Sequence, residues 1–92
     1  MKFDWDDRKA NINLSKHGIS FEEAKSVFVD PFYVDFYDPD HSDDEDRYII
    51  IGESQRQRLL VVAYTEREGI IRLISAREAT RREKVSYEEE DG

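Results

Sequence analysis

Cysteine is absent from this 92-residue chain, so neither a disulfide framework nor a thiolate metal site can supplement its core. Histidine is scarce: with only His17 and His41, a multi-histidine zinc centre would need carboxylates brought from distant segments. No P-loop, Gly-rich dinucleotide turn, His-Glu-x-x-His helix or nucleophile elbow is present. Asp38-Pro39-Asp40-His41-Ser42-Asp43 begins like a calcium loop, but its sixth position is Asp rather than Gly and its twelfth is Ile49 rather than Glu. No metal and no cofactor is therefore expected. Long apolar runs are also missing. Tyr48 to Ile51 and Leu59 to Tyr64 are strand-sized, and the N-terminus has neither a basic nor an apolar leader region. The expectation is a cytoplasmic protein with no membrane partner.

The length suits one domain over residues 1–92, with 88–92 frayed, and so small a chain buries only about 60% of its unfolded surface. The net charge of −8 speaks against nucleic acid as a partner until its distribution is considered. Six acids fall between Asp38 and Asp46 and four between Glu88 and Asp91, which leaves the remainder close to neutral. From Arg67 to Tyr87 six bases (Arg67, Arg72, Arg77, Arg81, Arg82, Lys84) face three acids, enough for a locally positive surface or for an ordinary solvated face.

Asp4 or Asp6 can cap a first helix whose Ala10, Leu14 and His17 share one face, with Gly18 as its left-handed stop. Ser20-Phe21-Glu22-Glu23 reads as a capping box for a second helix that buries Ala24, Val27 and Phe28 and ends at Asp30-Pro31. From Phe32 the period changes to two, giving a strand to Tyr37. Further strands are predicted at Arg47–Gly52, Leu59–Thr65 and Ile70–Ala76. Thr80-Arg81-Arg82-Glu83 is another capping box, opening a last helix that runs to about Glu89. The expected fold is α+β: two N-terminal helices packed on one face of a four-stranded antiparallel sheet, plus a C-terminal helix, with the other face open.

Arg72 stands out, because it interrupts the apolar run Ile71 to Ile74 and must snorkel, pair with an acid or serve the open face, where Ile70 and Ile74 flank it by alternation. Arg77 follows at the strand's end, and Ser75 and Tyr64 are polar positions near strand ends. Glu83 and Tyr87 share a helical face. Such side chains suit attack of a ribose 2′-hydroxyl on the adjacent phosphate. That reaction needs cations for the phosphorane (Arg72, Arg77) and proton carriers (Lys16, His17, Glu83 or Tyr87). Each has a structural alternative: Lys16 and His17 as helix-closing cations, Glu45 and Arg47 as a surface pair, Glu83 as a cap.

Phe3-x-Trp5-Asp6 with Lys9 and Asn13, Lys16-His17-Gly18-x-Ser20-Phe21-Glu22-Glu23-Ala24 and Val27-Phe28-x-Asp30-Pro31 together resemble the BrnT toxin family. The likeness continues through Glu45-x-Arg47, Gly52, Val61 to Thr65, Arg72 to Arg77, Ala79, Glu83 and Tyr87. It implies a RelE-like fold, an endoribonuclease that cleaves RNA and slows translation, and neutralisation by a BrnA-type antitoxin that binds operator DNA and represses the operon. The catalytic positions it implies are Lys16, His17, Arg72, Arg77 and Glu83. Glu45, Arg47, Tyr64, Arg81, Arg82 and Tyr87 stand as RNA contacts. The acidity of Asp43-Asp44-Glu45-Asp46 departs from the family expectation. Two other readings are a binding module that docks a partner without cleaving anything, and an acidic loop and tail that mimic nucleic acid or address a basic partner.

Overall fold

The computed structural model describes residues 1–91, with side chains to Glu89. The elements run β1 Lys2–Asp4, α1 Asp7–His17, α2 Phe21–Lys25, β2 Val34–Tyr37, β3 Tyr48–Glu53, β4 Leu59–Arg67, β5 Ile70–Glu78 and α3 Arg81–Asp91, with 3-10 turns at Ser26–Val29 and Pro39–His41. The sheet has five strands, in the order β1-β5-β4-β3-β2. This corrects the expected four antiparallel strands: β1 is an additional strand and lies parallel to β5, pairing Phe3 with Ile71 and Asp4 with Arg72. Three residues are too few to display an alternation, which is why the sequence pattern does not reveal it. The last helix reaches Asp91, beyond the expected Glu89; of the expected frayed segment, Gly92 lies outside the described residues.

Local chemistry accounts for the helix ends. Asp6 Oδ1 accepts from the Arg8 and Lys9 amides at 2.8 and 3.2 Å, and Gly18 at φ 70° closes α1, its N–H donating to Leu14 O. Ser20 Oγ caps α2 by accepting from Glu23 N at 3.0 Å. The reciprocal half of the predicted box is replaced, because the Glu23 side chain turns inward and is 2% exposed. Its carboxylate is gripped through both oxygens by Arg58 and accepts from Ser54 Oγ at 2.7 Å, so a buried charge is paired and hydrogen-bonded. The Arg58 bond, against the opposing cost of burial, holds the Glu23 carboxyl below its ordinary range.

One face of the sheet, carrying Ile50, Leu60, Val62, Leu73 and Ala76, packs against Ile19, Phe21, Ala24, Val27 and Phe28. Leu14, predicted to be part of α1's inner face, is 51% exposed; Asn13 takes that place at 5%. β1 pairs β5 only as far as Arg72, so α1 meets the next stretch of β5's edge. There Asn13 Oδ1 accepts from Ala76 N (3.0 Å) while its Nδ2 donates to Ala76 O (2.8 Å) and Ile19 O (2.9 Å). The side-chain amide does what a neighbouring strand would do, and buried backbone groups are thereby paired.

The opposite face is less open than expected. Ile51 and Val61 point there by register yet are almost fully buried, because α3 folds back over that end of the sheet. Contacts that hold it include Arg77 Nη1 and Nη2, which donate to Glu83 Oε1 and Oε2 at 2.7 and 2.8 Å, and Tyr87 O–H, which donates to Asp30 Oδ2 at 2.6 Å. The box at Thr80 forms in both directions, Glu83 N to Thr80 Oγ1 at 3.2 Å and Thr80 N to Glu83 Oε1 at 2.8 Å.

Replacing Asn13 with Ala leaves Ala76 and Ile19 backbone groups buried without partners, a cost of about 3 kcal/mol. Thermal unfolding of Asn13→Ala is expected to show a Tm lower by roughly 10–20 °C; a shift within roughly 3 °C contradicts the clasp. The Arg77 bonds pull the Glu83 carboxyl from 4.5 to about 2. A group whose folded pKa is depressed stabilises the fold above its unfolded value and loses that contribution as pH falls through the folded one. With Arg77 41% exposed, screening leaves the pair about 1 kcal/mol. Urea unfolding of Glu83→Gln, which keeps an acceptor for the Thr80 amide, is expected to show that deficit at pH 7, shrinking between pH 4.5 and 2; a pH-independent deficit argues against it.

Candidate functional site

The uncovered part of the second face is organised by an irregularity in β5. Arg72 pairs with Thr65 and Leu73 with Tyr64, but Ser75 rather than Ile74 stands opposite Ala63. Three residues apart, Arg72 and Ser75 would fall on opposite faces of a regular strand. The bulge at Ile74 returns Ser75 to the face of Arg72, a familiar use of bulges for aiming side chains. Arg72 is held by its neighbour across the parallel pairing, with Nη1 3.1 Å from Asp4 Oδ1. Of its expected neighbours on that face, Ile70 holds its place and Ile74 does not.

The end of α1 borders this bulge. Lys16 and His17 occupy the last turn, where the helix's negative end favours cations. They line a groove of about 260 Å³ with Lys9, Ile12, Asn13, Ile74 and Ser75. Asn13 fixes this geometry from below, since its bonds to Ala76 and Ile19 tie α1 to the strand directly beyond Ser75 and to the corner directly beyond Gly18. Asp6, one turn earlier, has its carboxyl lowered chiefly by the Lys9 amide bond, with the charges of Lys9 and Arg72 contributing.

On the other side of Arg72, the acidic connection between β2 and β3 folds down on the sheet. It is tied at several points: Asp38 N to Arg47 O (2.9 Å), Ser42 Oγ to Asp38 O (2.6 Å), Arg47 N to Ser42 Oγ (2.9 Å) and Thr65 Oγ1 to Asp46 O (2.6 Å). Glu45 accepts from Arg67 Nε and Nη2 at 3.0 and 2.6 Å. Its carboxyl is lowered first by those bonds and then by the charges of Arg67, Arg47 and Arg72. One carboxylate thus sits in the combined field of three guanidinium groups. The adjoining cleft of about 220 Å³, lined by Asp40, His41, Asp43, Asp44, Glu45 and Arg47, is acidic. Among the described residues no three His, Asp or Glu side chains converge to hold a metal ion.

Of the residues singled out from sequence, Lys16 and His17 meet at the groove, Arg72 shares a face with Ser75, and Glu45 and Arg47 flank that face. Arg77 also lies on that face, opposite Val61 and two residues past Ser75, at the end covered by α3 and away from Arg72. Five residues along β5, roughly 16 Å at about 3.3 Å per residue, Arg77 is committed to Glu83 under α3. A carboxyl at about 2 is ionised at neutral pH and has no proton to donate. Tyr87 is engaged with Asp30. Burial, the first of several contributions, opposes the charge that the Asp30 carboxyl carries, yet the bonds from Glu53 N, Tyr87 O–H and Phe32 N keep it below its ordinary value. Arg81 and Arg82 are exposed in the first turn of α3. Tyr64 lies on the helix-covered face, its ring 5.1 Å from Phe28 and 5.6 Å from Tyr48; burial raises its hydroxyl pKa.

Sequence reasoning did not select Arg67, Asp4 or Asn13 as site-building residues. Arg67 was detectable, since Thr65 and Arg67 alternate on one face and the Glu68-Gly69 turn, at φ 52° and 80°, sets them against Arg72 and Ile70. Asp4 depends on the undetected β1, and Asn13 reads as one more polar residue on a helix.

The comparisons with known proteins agree with this architecture. A family model described as the ribonuclease toxin BrnT of type II toxin–antitoxin systems matches residues 5–83. The crystal structure of the Brucella abortus ribonuclease toxin BrnT superposes with a TM-score of 0.65 at 25% identity, covering 88% of this chain and 99% of that one. No curated protein matches in sequence. No described helix is long and apolar enough to cross a membrane. With the family model spanning most of its length, the chain belongs to the BrnT family of ribonuclease toxins of type II toxin–antitoxin systems.

Proposed function

We propose that this chain is a cytoplasmic, RelE-like endoribonuclease that slows translation by cleaving RNA without a metal, and that a BrnA-type antitoxin neutralises it and links it to operator DNA. The site proposed is the face of Arg72 and Ser75 together with the groove of Lys16 and His17. The observation that carries this reading is the β5 bulge, which sets a guanidinium and a hydroxyl on one face beside a lysine and a histidine.

In the reaction the 2′-oxygen bonds to phosphorus while the P–O5′ bond breaks, leaving a 2′,3′-cyclic phosphate and a 5′-hydroxyl. His17 is the side chain chemically suited to take the 2′-hydroxyl proton, and Lys16 to supply one to the departing oxygen. Arg72, steadied by Asp4, offers a planar donor pair to the phosphorane oxygens. Arg67 and Arg47 extend the positive field. Glu45 occupies the position in that field that a phosphate of bound RNA would claim, so RNA entry exchanges one anion for another. Arg77 and Glu83 serve as the staple of α3, and through it as support for the sheet on which the site stands.

The test follows cleavage of end-labelled RNA in EDTA by the wild type, Arg72→Ala and His17→Ala, each checked for an unchanged Tm. Loss of rate by roughly a hundredfold or more in both variants, with cyclic-phosphate ends from the wild type, is expected. A folded wild type that leaves RNA intact, or variants that match its rate, overturns the reading.

A further inference from the structure

β2 is the outermost strand of the sheet, so one side of its backbone has no strand beside it. Edges of this kind are templates for a further strand, and proteins usually blunt them. Here the edge is short but carries apolar bulk: Val29, Phe32, Tyr33, Phe36 and Tyr37 are between 47% and 77% exposed. These residues stand at or just before the same edge, a concentration that marks a docking surface more often than chance exposure. From Ser26 to Asp46 the chain has eight acids and neither lysine nor arginine. Asp35 lies within β2 itself and is exposed.

These features select the occupant. A second copy pairing antiparallel through β2 would set Asp35 against its own equivalent or against Asp38, according to register, and like charges across a strand pair are destabilising. RNA would meet a stretch of carboxylates with no lysine or arginine of its own. What fits is an extended peptide segment whose apolar side chains alternate with lysine or arginine, which adds main-chain hydrogen bonds to β2 and packs against the exposed rings.

We infer that β2 is where the antitoxin adds a basic, extended segment as a sixth strand, at the sheet edge that β3 and β4 separate from Arg72 on β5. The inference rests on the toxin reading, because it takes the occupant to be the antitoxin of the same operon. Phe36 and Asp35 are its contacts on this chain, one apolar and one charged. RNA cleavage by the free toxin does not depend on either.

The experiment measures amide hydrogen exchange across residues 33–38 in the full-length chain alone, in its purified complex with that antitoxin, and with an RNA oligonucleotide. Affinities for the antitoxin are measured alongside for wild type, Asp35→Lys and Phe36→Ser. Expected are slowed exchange in the antitoxin complex only, a loss of affinity of about tenfold or more in each variant, and wild-type affinity that weakens with salt. The Tm and RNA cleavage of each free variant should stay unchanged. Protection confined to the Arg72 face, with variants binding like the wild type, overturns the edge and leaves the toxin reading standing. Protection by RNA, or in the free protein as it dimerises, assigns the edge to another occupant and likewise overturns the proposal. Absence of any complex overturns both, while loss of RNA cleavage alone counts only against the catalytic reading.

Discussion

The side-chain amide of Asn13 is the contact on which this small fold turns. β1 ends at Asp4, leaving the next part of β5 without a strand beside it, and an open edge must be paired, covered or exposed to water. Asn13 pairs both polar groups of Ala76 and also ties down Ile19, so one residue closes the edge, seats α1 and fixes the corner after Gly18. The consequence reaches the candidate site: Lys16 and His17 stand at Ser75 because the residue one turn before His17 is bonded next to Ser75. A leucine at that position could fill the space but would leave the strand's donor and acceptor unanswered, a cost no gain in apolar burial of that size offsets.

Charge is handled in three separate ways. The buried Glu23 is neutralised by Arg58 and joins the α2 side of the core to the β3–β4 turn. Arg77 and Glu83 pair with each other and hold α3 over Ile51 and Val61. The arginines near Glu45 are different, since the charges of Arg47, Arg67 and Arg72 all act on that one carboxylate, while Arg72 is bonded to Asp4. A site that must receive polyanions gains by keeping its cations ordered on a displaceable carboxylate instead of letting them spread into solvent. The acidic excess that gives the chain its net charge of −8 is gathered in β2 and the segments flanking it.

Much of the frame was legible because it rests on local rules. Gly18 as a left-handed stop, the Thr80–Glu83 box and the period-two runs of β3, β4 and β5 each follow from a few neighbouring residues. What stayed hidden depends on residues far apart in sequence. β1 is too short to show its period and pairs parallel with a strand 68 residues away, as Asp4 with Arg72. The β5 bulge breaks the count by which Ile74, not Ser75, seemed to neighbour Arg72. Glu23 fitted a capping box so well that its burial beside Arg58 gave no signal. Family likeness led to the right toxin class, whereas the pairing of Arg77 with Glu83 under α3 required the fold.

The claim most in need of a direct test is the location of the RNA on this scaffold. RNA carrying 4-thiouridine, photo-cross-linked to the His17→Ala protein and mapped by mass spectrometry, addresses it without depending on turnover. Cross-links in peptides containing Lys16, Arg67, Arg72 or Ser75 are the result this account requires. Cross-links confined to α3 around Arg81 and Arg82, or to the β2 edge, would place the RNA elsewhere and contradict it.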